Sequence, residues 1–323
     1  MKTLILSDTH FGIKQNSITW LNSQIDFIYK EFIPCLIHLK KDDEVQVVHC
    51  GDVFDSRSTI NTFVASYVRK AFKDIAVHCP VYIVAGNHDF YSPVEDDVSA
   101  LDLTLYSIKN LNIIRDKIAI LDEGQSLLVP WYEFDKKEVL EAYIDSNKPK
   151  NIFCHTDLTR LSPEYHALLR GINVYSGHIH TPQREGNLFT LGSTYALTFA
   201  DSNADRGFYI LDNQTNELKF VKAKNIIRFW RFYNNEIFDI DVTKLKNDYL
   251  ELYINKTNLL NEQYTERISY ITSKIHNAIV VPNPDVQQVQ ESVEFTNYNI
   301  EEICEANIPE QLKDKFKQIS SKD

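Results

Sequence analysis

One short stretch constrains this chain more than any other: an apolar run that ends at a glycine and is followed at once by polar residues. Val81-Tyr82-Ile83-Val84-Ala85 has the length and β-branched composition of a buried strand, and Gly86-Asn87-His88-Asp89 follows it directly. Loops at strand ends often carry chemistry. A simple turn explains these four residues equally well, because Asn and Asp favour turns. The residues at other strand ends decide between the two interpretations.

Four further predicted strands end in residues of the same kind. They are Asp8 and His10 after residues 3–6, Asp52 and Asp55 after 45–48, His155 after 151–154, and His178 and His180 after 173–175. In an open α/β sheet, sites form outside the carboxyl ends of the strands, so these loops can converge. A lone histidine is usually structural. Five such ends in chain order, three of them led by a glycine that permits close backbone approach, predict a shared site.

The residue types at these ends indicate a metal centre. Asp carboxylates, His imidazoles and an Asn carbonyl, with no thiolate among them, suit Mn, Fe or Zn. Two such ions could share one carboxylate and a bridging water. Pairs of this kind clamp the attacking and leaving oxygens of a displacement at phosphorus.

Apolar runs of strand length alternate with helical periodicity over the first two-thirds of the chain. We predict strands at residues 3–6, 45–48, 81–84, 113–114, 117–121, 126–129, 151–154 and 173–175, and a meander at 188–191, 207–211 and 218–221. Helices are predicted at 20–39, kinked at Pro34, and at 62–74, 99–108 and 136–145. This order indicates an α/β fold in which two sheets pack face to face with helices outside.

Length and charge limit the class of protein. A chain of 323 residues can bury a core in one large α/β domain with an appendage. The formal net charge of −11 argues against non-specific electrostatic binding to nucleic acid by the whole surface. Cations bound in a carboxylate cluster would invert the local potential. A basic aromatic stretch could also contact nucleic acid or be a solvated strand edge; it contains Lys219, Lys222, Lys224, Arg228, Trp230 and Arg231.

Cysteine usage and hydropathy point to a cytoplasmic protein without a membrane partner. The five cysteines are widely spaced, so we expect neither a disulfide framework nor a structural zinc site. Cys154 precedes His155 and could be a soft ligand, but strand alternation favours a small buried hydrophobe. No apolar run approaches the ~20 residues needed to span a bilayer. The start of the chain is better explained as a first strand than as a signal peptide.

The ordered set of strand-end residues resembles the calcineurin-like metallophosphoesterases. Within that family the chain is similar to the SbcD-type nuclease subunit of double-strand-break repair, in the short form carried by T-even-like phages. The features that carry this likeness are Asp8-Thr9-His10-Phe11-Gly12, Gly51-Asp52-Val53-Phe54-Asp55, Val129-Pro130-Trp131, Leu191-Gly192-Ser193-Thr194 and Asp205-Arg206-Gly207-Phe208. The likeness covers residues 1–211. It implies a four-layer αββα sandwich at 1–232, a small α/β cap domain for DNA at 233–284, and a linker with a helical segment at 285–323.

The resemblance also implies a ligand set for two divalent ions. One ion would be held by Asp8, His10, Asp52 and His180, and the other by Asp52, Asn87, His155 and His178, with Asp52 shared. Manganese is the implied ion, with Mg, Fe or Zn as alternatives.

The same resemblance implies roles for residues around the ions. His88, oriented by Asp89, would protonate the leaving 3′ oxygen. Asp55 would contact the metal ligands without binding an ion itself. Substrate contacts are expected from Arg57, Ser193 and Arg206. The family commonly has Pro at the position of Thr194, and the change frees one backbone N–H in that loop.

The activity implied is a Mn-dependent DNA nuclease in end processing and recombination, acting as a 3′–5′ exonuclease on duplex DNA and as a single-strand endonuclease. A homodimer in the cytoplasm of a phage-infected bacterium is expected. Apolar residues at 298–319 form two short helical patches split by Pro309, which we expect to dock on the coiled-coil base of an SbcC-like ATPase; they could instead fold onto their own domain. Alternative functions are a phosphatase or cyclic-nucleotide phosphodiesterase with the same core, and a non-enzymatic scaffold.

Overall fold

A computed structural model describes residues 1–92, 98–202 and 204–283. Their strands are β1 Lys2–Leu6, β2 Val45–His49, β3 Val81–Val84, β4 Leu111–Ile114, β5 Ala119–Leu121, β6 Ser126–Val129, β7 Asn151–His155, β8 Asn173–Gly177, β9 Gln183–Glu185, β10 Leu188–Thr190, β11 Gly207–Asp212, β12 Leu218–Lys222, β13 Phe229–Tyr233, β14 Tyr249–Asn255 and β15 Ala278–Asn283. The α-helices of the same residues are α1 Ile13–Asn16, α2 Ile18–Phe27, α3 Ile33–Leu39, α4 Thr62–Ala76, α5 Ala100–Leu105, α6 Trp131–Phe134, α7 Lys137–Asn147, α8 Pro163–Leu168 and α9 Glu262–Lys274. The predicted linker and helical segment, 285–323, lie outside the described residues.

Two six-stranded sheets form the main body of the molecule. The first has the strand order β12-β11-β1-β2-β3-β4, and the second has the order β5-β6-β7-β8-β10-β9. Strands β1 to β4 run parallel, as do β6, β7, β8 and β10. Parallel strands covered on both faces are buried along their whole length, and every residue of β2 is buried, including the polar Gln46 and His49.

Three groups of buried side chains show the layering. Ile5 and Phe153 belong to the group between the two sheets. Phe27 and Val68 pack from α2 and α4 against the outer face of the first sheet. Leu140 packs from α7 against the outer face of the second sheet. The order helix, sheet, sheet, helix confirms the predicted αββα sandwich.

The predicted meander is wrong at its first strand. β10 joins the second sheet parallel to β8, whereas β11 and β12 form an antiparallel pair in the first sheet. β11 also lies antiparallel to β1. A local apolar pattern identifies a strand but does not say which strand it pairs with, and β11 pairs with β1 at the other end of this body's sequence.

Pro34 is accommodated by a wide helical turn in the long helix predicted around it. α2 continues into a π-helical stretch, Ile28–Phe32, and Pro34 lies in the first turn of α3. Proline is tolerated there because the first N–H groups of a helix have no intrahelical partner. Phe27 and Phe32 are fully buried, so both segments remain on the first sheet.

A small domain, defined here as residues 229–283, contains the third sheet. β13, β14 and β15 are parallel, and α9 contributes Tyr264 and Ile271 to a separate core. The domain boundary predicted at 232/233 therefore passes through β13. No helix among the described residues combines the length and the apolar character needed to cross a membrane.

The basic aromatic stretch lies on β12, on β13 and between them. Lys222 pairs with Asp205, and Arg231 on β13 pairs across the sheet with Glu251 on β14 at 2.8 Å. These acids neutralise part of the positive charge. The structure therefore supports the strand-edge interpretation of this stretch over a free cationic patch.

Candidate metal centre

Five strands from the two sheets end at one place and bring the predicted ligands together. β1, β2 and β3 come from the first sheet, and β7 and β8 come from the second. Donor atoms of Asp8, His10 and His180 lie within 4.8 Å of one another, and so do donor atoms of Asp52, His155 and His178. The structure thus groups six of the seven predicted ligands into the two expected sets, and Asn87 contacts the second set.

The second set is built around His155. Its Nδ1 donates to the Cys50 carbonyl at 2.8 Å, so a neutral ring presents a lone pair at Nε2. That Nε2 lies 3.0 Å from Asn87 Oδ1 and 3.3 Å from Asp52 Oδ1. Asn87 Oδ1 also lies 2.9 Å from His178 Nδ1. Acceptor atoms that face one another at this separation fit a cation between them.

The first set shows the same arrangement. Nε2 of His10 and Nε2 of His180 are 3.1 Å apart, and each lies 3.9 Å from Asp8 Oδ1. Oδ2 of Asp52 is 3.8 Å from His10 Nε2, while its Oδ1 faces His155. Asp52 therefore lies between the two sets, as a shared carboxylate must.

The backbone is strained at the positions that carry these side chains. φ is positive at Asp8 (49°), His10 (41°), Asp52 (55°) and His178 (81°). Each such residue costs about 1–3 kcal/mol and persists only where its surroundings enforce it. Strain of this kind clusters at functional sites, and here it turns several donors toward one point.

Two glycines permit the loops to approach each other. Gly51 has a φ of 89°, and a Cβ there would overlap the imidazole of His155. A Cβ at Gly86 would overlap Asp52. The close backbone approach predicted from these glycines is confirmed.

The electrostatics of the centre also favour bound cations. Asp8 and Asp52 are fully buried, and their ion-pair partners among the described residues are histidines. Burial opposes ionisation of Asp52, but His155 and His10 outweigh it and hold its pKa well below the usual range. Burial lowers the pKa of His155, yet attraction from Asp52 prevails and raises it to about 9. Two buried acids whose ion-pair partners are imidazoles suit divalent ions.

Comparison with known proteins now assigns the fold and the site to a family. The family model described as "Calcineurin-like phosphoesterase" matches residues 1–223. The chain belongs to this family. Family membership confirms the predicted class of metal-dependent phosphoesterase, and the donor clusters fit the two-metal centre that the family uses.

Two relatives extend the comparison. The phage T4 protein "Exonuclease subunit 1" is 25% identical over 311 residues, which cover 90% of this chain and 89% of the relative. "DNA double-strand break repair protein Mre11" of Saccharolobus solfataricus is 29% identical over 203 residues, which cover 57% of this chain and 50% of the relative.

In this phosphoesterase, His88 lies at the rim of the donor cluster. Its Nδ1 donates to the Asp55 carbonyl at 2.7 Å, and its backbone N–H donates to Asp52 Oδ1 at 2.8 Å. The ring is half-buried, with its centroid 5.0 Å from that of His10. With Nδ1 engaged, Nε2 is the atom left to transfer a proton. Donor atoms of His88, His10 and Asp52 also lie within 4.8 Å of one another, so ligation by His88 needs a direct test.

Asp89 does not orient His88, and the prediction that it does is wrong. The buried Asp89 carboxylate accepts backbone N–H groups from Gly86 at 2.9 Å and from Asp52 and Val53 at 3.0 Å. A longer contact, at 3.4 Å, comes from the N–H of Phe54. Asp89 therefore joins the loop after β3 to the loop after β2.

Asp55, for which the resemblance implies a supporting role, lies next to His10 and His88. Its carboxylate lies 3.4 Å from Nδ1 of His10, and its carbonyl accepts from His88. One residue thus contacts both a candidate ligand and the candidate acid.

Two of the three residues predicted to contact substrate, Ser193 and Arg206, are buried. Arg206 is 2% exposed, pairs with Asp201 at 2.6 Å and donates to the His180 carbonyl at 2.8 Å. The Ser193 hydroxyl donates to the Tyr195 carbonyl at 2.6 Å. Both residues help to build the loop around His180. Arg57 is partly exposed and stays a prediction.

Thr194 uses the N–H that proline would lack. Its N–H and its hydroxyl both donate to the Ser7 carbonyl, at 3.0 and 2.8 Å. Ser7 immediately precedes Asp8, so the departure from the family pattern adds a tie beside a candidate ligand.

Sequence analysis missed Trp131 as part of the site. Its ring centroid lies 4.9 Å from that of His178 and 5.9 Å from that of His155. The available signal was an aromatic residue directly beyond the strand that ends at Val129. Trp131 packs against two candidate ligands and limits their movement.

Proposed function

We propose that this phosphoesterase is a nuclease that hydrolyses phosphodiester bonds of DNA with two Mn²⁺ ions, as a 3′–5′ exonuclease and a single-strand endonuclease. The observation that carries the proposal is the pair of donor sets sharing Asp52, with the imidazole of His88 held at their rim. The relative named as an exonuclease subunit supports DNA as the substrate, because the similarity covers 90% of this chain and so includes much of the small domain.

The candidate ligands divide between the two ions as the donor sets do. Asp8, His10, Asp52 and His180 would hold one ion, and Asp52, Asn87, His155 and His178 the other. Bound divalent ions would supply positive charge next to the phosphoryl oxygens and lower the pKa of a coordinated water. The oxygen and imidazole donors suit Mn²⁺, although they do not separate it from Fe or Zn.

The side chains beyond the ligands would position the substrate and move a proton. Hydrolysis of a DNA phosphodiester leaves a 3′ alkoxide, which needs a proton. His88 can donate one from Nε2, because the Asp55 carbonyl fixes Nδ1 and thereby the plane of the ring. Trp131 packs against the rings of His155 and His178 and would keep them in place.

Digestion of end-labelled duplex DNA in the presence of Mn²⁺ tests the proposal. The wild-type protein should release 5′ mononucleotides from a 3′ end. His88→Ala should reduce kcat by about 10²–10⁴-fold, the usual contribution of a positioned acid, and should still bind two Mn²⁺ ions. His166→Ala is a matched control, because His166 is exposed on α8; it should cleave like the wild type.

Each alternative function predicts a different outcome of the same experiment. Unchanged turnover of His88→Ala would contradict the acid role, and loss of one Mn²⁺ ion would make His88 a ligand. Turnover of small phosphate esters without DNA cleavage would support a phosphatase or cyclic-nucleotide phosphodiesterase. Two bound ions with no hydrolysis of any ester would support a scaffold.

We also propose that the chain works as a homodimer with an SbcC-like ATPase. The support is the word "subunit" in the name of the phage T4 relative. The segment expected to dock, 285–323, lies outside the described residues. Deleting the residues after 290 should abolish co-purification with the ATPase and leave Mn²⁺-dependent nuclease activity in place; retained co-purification would contradict this assignment.

A further inference from the structure

The turn between Asp8 and His10 is held from two sides. On one side, Asp8 N–H donates to the Gly51 carbonyl at 3.0 Å and His10 N–H donates to the Asp52 carbonyl at 3.1 Å. These bonds satisfy the donors of the turn. The carbonyls of the turn face the opposite side, toward α2.

Gln24 on α2 contacts these carbonyls. Its Nε2 donates to the Thr9 carbonyl at 2.7 Å and lies 3.5 Å from the His10 carbonyl. The side chain is 1% exposed. Gln24 thus binds the turn at Thr9, the residue between two candidate ligands. φ is positive at both of those ligands, Asp8 and His10.

The other end of the Gln24 amide has no partner. Its Oε1 is buried without a hydrogen bond. Buried polar atoms are nearly always paired, so an exception calls for a reason. A methionine would fill the same space without leaving an acceptor unpaired, but it could not donate to Thr9. The bond to the Thr9 carbonyl, and not packing, therefore explains why a glutamine is at position 24.

The same helix contacts the small domain. The indole N–H of Trp20 donates to the Tyr249 hydroxyl at 3.1 Å. Ser23 Oγ accepts the N–H of Ile227 at 3.0 Å, in the segment that leads into the small domain. Trp20, Ser23 and Gln24 are spaced i, i+3 and i+4, which places them on one side of α2. Trp20 is 2% exposed, and its ring also contacts Phe229.

We infer that Gln24 is a positioning residue that fixes the Asp8–His10 turn against α2. Trp20 then links the position of α2, and with it the position of the turn, to the small domain. The affinity for the metal ion held by Asp8, His10 and His180 then depends on the position of the small domain relative to α2. The inference rests on the metal centre of the proposed function. No residue of α2 needs to touch an ion for this coupling to operate.

Titration of the full chain with Mn²⁺, followed by electron paramagnetic resonance of free Mn²⁺, tests the inference. The wild type should bind two ions. In Gln24→Met one of the two should bind about 10- to 100-fold more weakly, as for other residues that support metal ligands, while the second is unchanged. Gln263→Met, at an exposed position of α9, should match the wild type.

Trp20→Phe provides a second variant in case Gln24→Met does not fold. It keeps an aromatic ring but removes the donor to Tyr249 and part of the buried indole, and it leaves Gln24 in place, so the same ion should be weakened by a smaller factor. A purely structural role predicts a lower unfolding temperature in EDTA and equal weakening of both ions. Unchanged binding of both ions in either folded variant would overturn the inference. A wild type that binds fewer than two ions would instead contradict the proposed metal centre, and the inference would fall with it.

Discussion

Replacing Asp89 by Asn separates the role that the structure gives it from the role in catalysis that the sequence suggested. The buried carboxylate accepts backbone N–H groups from four residues: Gly86, Asp52, Val53 and Phe54. Asparagine keeps one oxygen and presents an NH₂ group in place of the other. Two of the backbone donors are then left facing a donor.

The expected loss of stability follows from those two donors. A buried group left without its hydrogen bond costs about 1–3 kcal/mol, so Asp89→Asn should lower the free energy of unfolding by ~2–6 kcal/mol. This is a large share of the ~5–15 kcal/mol that typically stabilises a folded domain. The variant should also lose Mn²⁺ affinity, because Asp52 and Asn87 lie on the two loops that Asp89 joins.

Urea denaturation in EDTA measures this loss without any contribution from metal. Asp241→Asn is a suitable control, because Asp241 accepts an N–H and a hydroxyl from Thr243 in an exposed turn; it should change stability by less than ~1 kcal/mol. If Asp89→Asn unfolds at the same urea concentration as the wild type and loses only kcat, Asp89 acts on His88 and our account of the loop is wrong.

Three further predictions concern the metal centre and its loops. Adding Mn²⁺ at 100 times its Kd to EDTA-treated protein should raise the free energy of unfolding by ~2.7 kcal/mol for each ion bound, which scanning calorimetry will show as a higher Tm; an unchanged Tm would mean that the ions do not select the folded state. Gly51→Ala should abolish binding of one Mn²⁺ ion because a Cβ there overlaps His155, whereas Gly171→Ala, also at positive φ but with no neighbour within 4 Å, should retain both ions in a dialysis assay; equal retention would refute the steric reading. Thr194→Val should reduce stability by ~1 kcal/mol through loss of the hydroxyl bond to Ser7, and a urea midpoint equal to that of the wild type would show that this bond is dispensable.

The parts of the fold that were predictable are those whose residues carry a local pattern. β1, β2 and β3 are rich in apolar residues, and a candidate ligand follows each of them within three residues, so both the strands and the site could be predicted from one stretch at a time. Strand β9, Gln183–Glu185, has three exposed polar or charged residues and therefore no such pattern. The placement of β10 in the second sheet depends on pairing with β8, which no local pattern encodes.

The site shows the same division. The ligand set follows from residue types at strand ends, and the structure gathers it as expected. The functions of Asp89, Ser193 and Arg206 were not predictable, because they depend on which backbone groups surround each side chain after the loops fold. The resemblance implied a substrate contact for Arg206, whereas in the structure its guanidinium donates to Asp201 and to the His180 carbonyl.

The distance along the chain between the donors has a consequence for protein synthesis. His10 and His180 touch across a sequence separation of 170 residues, and β1, which ends at the first ligands, completes its pairing only with β11 near residue 210. A nascent chain still emerging from the ribosome therefore lacks a whole cation site until most of the sandwich has been made.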